Sequence, residues 1–183
     1  DVVKDHLLPD LEKLGYVGDD LCKMVLYLAA TSRLLERPVS VLSIANSSAG
    51  KSYGQAVVLS LLPEDQVHLL TRLSPKALSH FNKRDLVHKV LCIDEVDGVE
   101  EMAMAQLRCL LSRGKLTSAY THIDPQTGRM ETVQKDVEGP TAVFTSTTAE
   151  ETVYNETKTR FLILPVDSSE EQTKLVQKAL IRQ

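Results

Sequence analysis

The sequence predicts an α/β domain: a parallel sheet of five strands with helices on both faces and a β-hairpin inserted before the fourth strand. Three observations lead there. Five short runs, at 39–44, 67–70, 89–94, 141–146 and 161–166, are nearly all apolar, the mark of strands buried on both faces. Segments of helical length and period separate them, and strands alternating with helices make a parallel sheet. Ahead of the run at 141–146, two more polar stretches flank the turn-rich Pro125-Gln126-Thr127-Gly128, which reads as a hairpin. The 183 residues fit one domain with enough chain to bury a core.

Residues 1–36 form a helical segment. Val2, Val3, Leu7, Leu8, Leu11 and Leu14 recur near helical spacing over 2–14, with Pro9 as a flaw. Asp19 and Asp20 open a second helix that runs to about Leu35, and Arg37-Pro38 ends it. The core spans 37–166. Its first strand at 39–44 meets a loop of small polar residues, then a helix from Lys51 to about Leu62. The strand at 67–70 follows. Ser74-Pro75 looks like an N-cap and first-turn proline for a helix at 75–81. The third strand, 89–94, is apolar up to an acidic end, and a helix at 99–113 comes next. The hairpin occupies 115–138, with arms at 115–124 and 129–138. Strands at 141–146 and 161–166 complete the sheet. A last helix, within 167–183, starts near Ser168-Ser169.

Composition narrows the function. Net charge is -4, so general surface charge does not draw the chain to nucleic acid, and any such contact needs a local basic element. Aromatics are 4% and Trp is absent, which argues against rows of base-stacking rings. The longest purely apolar run, 24–30, is far short of the roughly 18 residues a membrane span needs, so no membrane partner is expected. No basic-apolar-small leader is present, and the opening at Asp1 without Met suggests a piece of a longer protein. Cys22, Cys92 and Cys109 are odd in number and widely spaced. They imply neither a disulfide framework nor a zinc site, and a reducing cytoplasm is the natural setting. His6, His68, His80 and His88 have no metal-ligand spacing.

The loop after the first strand reads Ala45-Asn46-Ser47-Ser48-Ala49-Gly50-Lys51-Ser52. This is the G-x-x-x-x-G-K-[ST] pattern with Ala45 for the first glycine. Backbone N–H groups of such a loop wrap phosphates, and the next helix adds its positive end. Lys51 would reach the β- and γ-phosphates and Ser52 would hold Mg²⁺. Gly-Lys-Ser alone also fits an ordinary loop before a helix; the buried strand ahead of it favours the nucleotide site. About forty residues later the third strand ends in Asp94-Glu95. Two acids can simply cap a strand in solvent. Beside a phosphate loop they form the Walker B pattern, with Asp94 on Mg²⁺ and Glu95 deprotonating water. That pairing suits hydrolysis better than transfer to a second substrate.

The fourth strand runs into Thr147-Thr148. Thr148, or failing it Thr147, could sit between the two motifs and contact the γ-phosphate or the lytic water; a threonine capping the next turn is the plain alternative. Arg160, just before the fifth strand, is either a surface residue or a finger reaching a neighbouring subunit's γ-phosphate. The hairpin region from Arg113 to Lys135 carries Arg113, Lys115, Arg129 and Lys135 against Asp124 and Glu131. His122 and Arg129 lie near its tip. A solvated hairpin of mixed charge, or one packed on a neighbouring subunit, fits these residues too.

The loop with Lys51, Asp94-Glu95, the polar strand end and Arg160 together resemble an AAA+ ATPase core. The hairpin's position is similar to the pre-sensor-1 hairpin clade, which includes MCM-type replicative helicases. A closer likeness is to helicase-like ATPase domains of primase-associated proteins of mobile elements and phages. It is carried by Tyr27-Leu28-Ala29-Ala30, Ser48-Ala49-Gly50-Lys51-Ser52, His88-Lys89-Val90-Leu91, the stretch from Leu110 to Leu116, Val137-Glu138-Gly139-Pro140 and Arg160-Phe161-Leu162.

The resemblance implies a three-layer P-loop NTPase sandwich with ATP and Mg²⁺ as cofactors. Nucleotide would touch Asn46, Ser47, Ser48, Ala49, Gly50, Lys51, Ser52 and Tyr53, and the metal would sit on Ser52 and Asp94. Glu95 would be the base, Thr148 the sensor-1 residue where Asn is usual, and Arg160 the finger acting across a homo-oligomeric ring. Lys115, His122, Arg129 and Lys135 would contact DNA in the channel. The helix within 167–183 would open a lid cut short, and a primase or zinc-finger domain would accompany the full-length protein. The alternative is a P-loop switch or loader acting on a protein partner without translocating DNA.

Overall fold

In the computed structural model, residues 1–45, 50–123, 128–148, 153 and 155–181 are described, with only the backbone for His122 and Leu180. A π-helical turn (Val3–Leu7) leads into α1 (Leu8–Lys13), and α2 (Asp20–Thr31) follows. Then come β1 (Val41–Ile44), α3 (Lys51–Leu59), β2 (Val67–Leu70), α4 (Ala77–His80), β3 (Lys89–Ile93) and α5 (Glu101–Arg113). The hairpin is β4 (Lys115–Ile123) and β5 (Met130–Glu138). The chain closes with β6 (Thr141–Thr147), α6 (Asn155–Lys158), β7 (Leu162–Pro165) and α7 (Glu170–Ile181).

Five strands form one parallel sheet in the order β2-β3-β6-β1-β7. Alternation along each strand divides the core between two faces. Val41, Val90, Cys92, Ala142, Phe144 and Leu164 face Leu11, Leu26, Ala30, Val57 and Val58, from α1, α2 and α3. Leu42, Leu91, Ile93 and Val143 face Leu78 of α4 and Ala103, Met104, Leu107 and Leu110 of α5. This is the three-layer sandwich the sequence predicts. Both faces are covered, so the strands are apolar at nearly every position.

Several boundaries move for identifiable reasons. The segment at 2–14 is not one α-helix: it passes from a π turn into α1 with Pro9 at the junction, where its ring and missing N–H interrupt the regular hydrogen-bond ladder. The second helix stops at Thr31, short of Leu35. Ser32 Oγ donates to Ala29 O and accepts from Val39 N–H, drawing the chain into a 3₁₀ turn at Ser32–Leu34. Ser74 is not an N-cap. Its carbonyl accepts from Ala77 N–H in a turn, and α4 begins at Ala77 without a side-chain cap. Ser169 does act as a cap, its Oγ accepting from Gln172 N–H ahead of α7. The short α6 was not expected. Its Thr157 is buried and accepts from Arg108 of α5, so tertiary packing makes it rather than local periodicity.

The N-terminal segment is tied to the body through α3. Lys23 is fully buried, bonds Glu12 and Asp20, and lies over the Tyr16 ring. Tyr16 in turn packs on Gly54 of α3, where an added Cβ would stand 2.8 Å from the ring and its hydroxyl.

Candidate functional site

Parallel strands point their C-terminal ends to one edge of the sheet, and the candidate site is built there. β1 ends at Ile44, and α3 starts from Gly50, whose φ of 79° suits glycine. Lys51 opens α3. Its side chain is buried and Nζ donates to the Ala45 carbonyl at 2.6 Å. The first turn of α3 and its dipole stand at the C-terminal end of β1, the arrangement that receives phosphate. Ser52 is exposed. Tyr53 is half-exposed and donates to Leu14 O at 3.3 Å, bringing the turn after α1 beside the start of α3. Asn46, Ser47, Ser48 and Ala49 lie outside the described residues.

β6 lies between β1 and β3. The end of β6 therefore falls between the loop carrying Lys51 and the acids after β3. Asp94 holds the main chain together here: its N–H donates to Leu70 O at 3.0 Å and its carbonyl accepts from Ser146 Oγ at 2.6 Å. The Asp94 and Glu95 side chains are exposed. Desolvation, together with a hydrogen bond to Asp97 and its charge, holds the Glu95 carboxyl above the usual range, while Lys51 pulls it down.

Asp97 is the residue sequence reasoning missed. Its carboxylate accepts from Thr147 Oγ1 at 2.5 Å, Thr148 N–H at 3.0 Å and Thr148 Oγ1 at 2.8 Å. Burial pushes this carboxyl up, but the donors outweigh it and leave it below the ordinary value. The only trace in the sequence is its place two residues after Glu95. Thr147 is buried and Thr148 exposed, and both turn to the same acid.

Gln55, fully buried in α3, was also missed. Its amide donates to Ser43 Oγ and to Thr145 O, each at 2.9 Å, and accepts from Cys92 Sγ. One side chain thus joins α3 to β1, β6 and β3 and fixes where Lys51 begins. Gln55→Leu should keep the volume but leave the Thr145 carbonyl and Ser43 hydroxyl without their donor. We expect it to destabilise the chain by about 1–3 kcal/mol, read from urea unfolding by circular dichroism; unchanged stability would remove this role.

Asp94 and Ser52 offer hard oxygen donors of the kind Mg²⁺ takes, usually together with phosphates and water. Among the described residues no cluster of His, Cys, Asp or Glu forms a metal site by itself. Ser52 and Asp94 are the residues that would hold a Mg²⁺ bound with nucleotide phosphates.

The remaining candidates lie elsewhere. Leu162, the first residue of β7, pairs with Val41, the first of β1, so Arg160 stands at the opposite edge from Lys51. Its guanidinium donates to Ser112 Oγ at 2.5 Å and to Glu156 O. Lys115 and Lys135 do not form a basic patch with Arg129. Lys115 pairs with Asp136 at 2.8 Å near the hairpin base, and Lys135 donates to His80 O at 3.1 Å. Arg129 precedes Met130, whose partner is Ile123 at the far end. Eight residues of strand, about 26 Å, separate it from Lys115. The His122 side chain and residues 124–127 lie outside those described.

The chain was compared with known proteins. The model of the family described as the MTBMA_p00010 P-loop domain matches residues 3–182. No curated protein matches. A family match of this extent makes the chain a nucleotide-binding domain of the NTPase class, in keeping with Gly50-Lys51-Ser52 at the sheet edge. Among the described residues no helix is long and apolar enough to cross a membrane. With the match running almost from end to end, the chain belongs to the MTBMA_p00010 P-loop domain family.

Proposed function

We propose that the domain is an ATP-hydrolysing AAA+ module of a helicase-like replication protein, working as a ring with nucleotide at subunit interfaces. The observation that carries this reading is the gathering of Lys51, Glu95 and the end of β6 at one sheet edge, with Arg160 at the other. A site with a phosphate cation and a base, and with its arginine facing away, is completed by a second copy. Mg²⁺, when bound with ATP, would neutralise charge on the phosphate oxygens. Lys51 would leave the Ala45 carbonyl for phosphate, Glu95 would take the proton of the attacking water, and Arg160 of the next copy would compensate the transition-state charge. The MCM-like clade and a primase or zinc-finger companion follow from the resemblance, and a cytoplasmic setting from the three widely spaced cysteines.

A second reading is a switch that acts on a protein partner. It draws on the hairpin, whose Lys115 and Lys135 are engaged within the chain and whose outer half exposes Tyr120, Ile123 and Met130. Equilibrium nucleotide binding and turnover by wild type and Lys51→Ala, with and without single-stranded DNA, tests both. Lys51→Ala should bind ATP about 10–100-fold more weakly, the worth of a charge-assisted hydrogen bond. Equal binding would sink the phosphate-loop assignment. Turnover raised by DNA supports the helicase-like reading; turnover indifferent to DNA, with no binding by anisotropy at low salt, favours the protein partner.

A further inference from the structure

Hydrogen-bond donors at the end of β6 are spent in an unexpected direction. Thr147 Oγ1, Thr148 N–H and Thr148 Oγ1 all give their protons to one carboxylate, that of Asp97. A hydroxyl has one proton and two lone pairs. With its proton given to Asp97, Thr148 Oγ1 presents only acceptor lone pairs on its other side. Such a group can accept from a water molecule, whereas it has no proton left for a phosphate oxygen. The same carboxylate therefore orients the side chain at the end of β6 that would meet the attacking water.

We infer that Asp97 is a positioning residue for hydrolysis, holding Thr148 as an acceptor for the lytic water. The inference rests on the hydrolase reading above. Asp97 lies on the loop after β3 and its partners on the end of β6, neighbouring strands joined in register from Lys89↔Thr141 to Ile93↔Thr145. Its reach across is short and both ends are anchored, Asp94 by Leu70 and Ser146 and Thr147 by burial in the sheet. Outer partners of this kind act on rate through orientation, and their loss costs about 10–100-fold.

Asp97→Asn keeps the shape but turns an amide donor toward the donors of Thr147 and Thr148. The experiment measures fluorescent-nucleotide affinity and steady-state turnover for wild type, Asp97→Asn, Thr148→Val, Thr148→Ser and the Asp97→Asn/Thr148→Val double variant. Turnover should fall about 10–100-fold in Asp97→Asn while nucleotide affinity stays within about threefold, a loss in kcat rather than binding. If Asp97 acts through Thr148, the double variant should be no more than about twofold slower than Asp97→Asn, where independent effects would multiply. Thr148→Ser, which keeps the hydroxyl, should turn over faster than Thr148→Val, a comparison that stands even if Asp97→Asn does not fold. Wild-type turnover in Asp97→Asn overturns the inference. So do multiplying effects, equal rates for the Ser and Val variants, or affinity lost in step with rate. A wild type that binds nucleotide without hydrolysing it overturns the hydrolase reading first, and this inference with it.

Discussion

Glu95→Gln should bind ATP as tightly as wild type and hydrolyse it about 10²–10⁴-fold more slowly, the usual worth of a positioned general base. Glutamine is the right replacement because it keeps the length and shape of the side chain. What it lacks is the basic oxygen that takes a proton from water. Glu95 is exposed on the loop after β3, at the same sheet edge as Lys51 and outside the phosphate loop. Binding should therefore be spared. The variant is best examined beside Lys51→Ala, which should show the converse pattern of weakened binding. A Glu95→Gln chain that turns over at the wild-type rate would remove Glu95 as the base.

What the sequence made legible follows from where each signal lives. The sheet strands could be read because burial on both faces leaves few polar choices; Val143 and Phe144, or Leu91 and Cys92, belong to opposite faces yet are all buried. The ends of strands carrying chemistry could be read because charge there interrupts an apolar run, as Asp94-Glu95 does after Ile93. Asp97 could not. Its role depends on two threonines fifty residues later that reach it only because β6 inserts between β1 and β3. Gln55 was hidden for the same reason, since its partners lie on β1 and β6. The basic excess read from Arg113 to Lys135 stops short of Asp136 and Glu138, and it says nothing of the pattern. Cross-strand register sets Lys115 opposite Glu138 and within reach of Asp136, and it sends Lys135 toward His80. A count of charges along a hairpin says nothing about which of them pair across it.

Arg160→Ala should leave ATP binding to a single chain unchanged and lower turnover of the assembled form by about 10³–10⁵-fold, or roughly 4–7 kcal/mol of barrier. The geometry makes an effect within one chain hard to arrange. Arg160 lies before the first residue of β7, and Lys51 lies beyond the last residue of β1, its parallel neighbour. A four-residue strand alone covers about 13 Å, and the guanidinium is turned to Ser112 at the end of α5 and to the Glu156 carbonyl. Any large effect on hydrolysis must then come from a second copy that brings this edge to the phosphate loop of the first. Mixing settles which chain supplies what. Arg160→Ala chains keep an intact Lys51, and Lys51→Ala chains keep an intact Arg160, so one of the two mixed interfaces carries both. Turnover should reappear in the mixture and be absent from either variant alone. Mixtures shown by sedimentation to co-assemble, yet without turnover, would count against action between copies. Full-rate hydrolysis by wild type at a dilution where only single chains remain would end it, and Ser112 and Glu156 would then be holding a surface arginine.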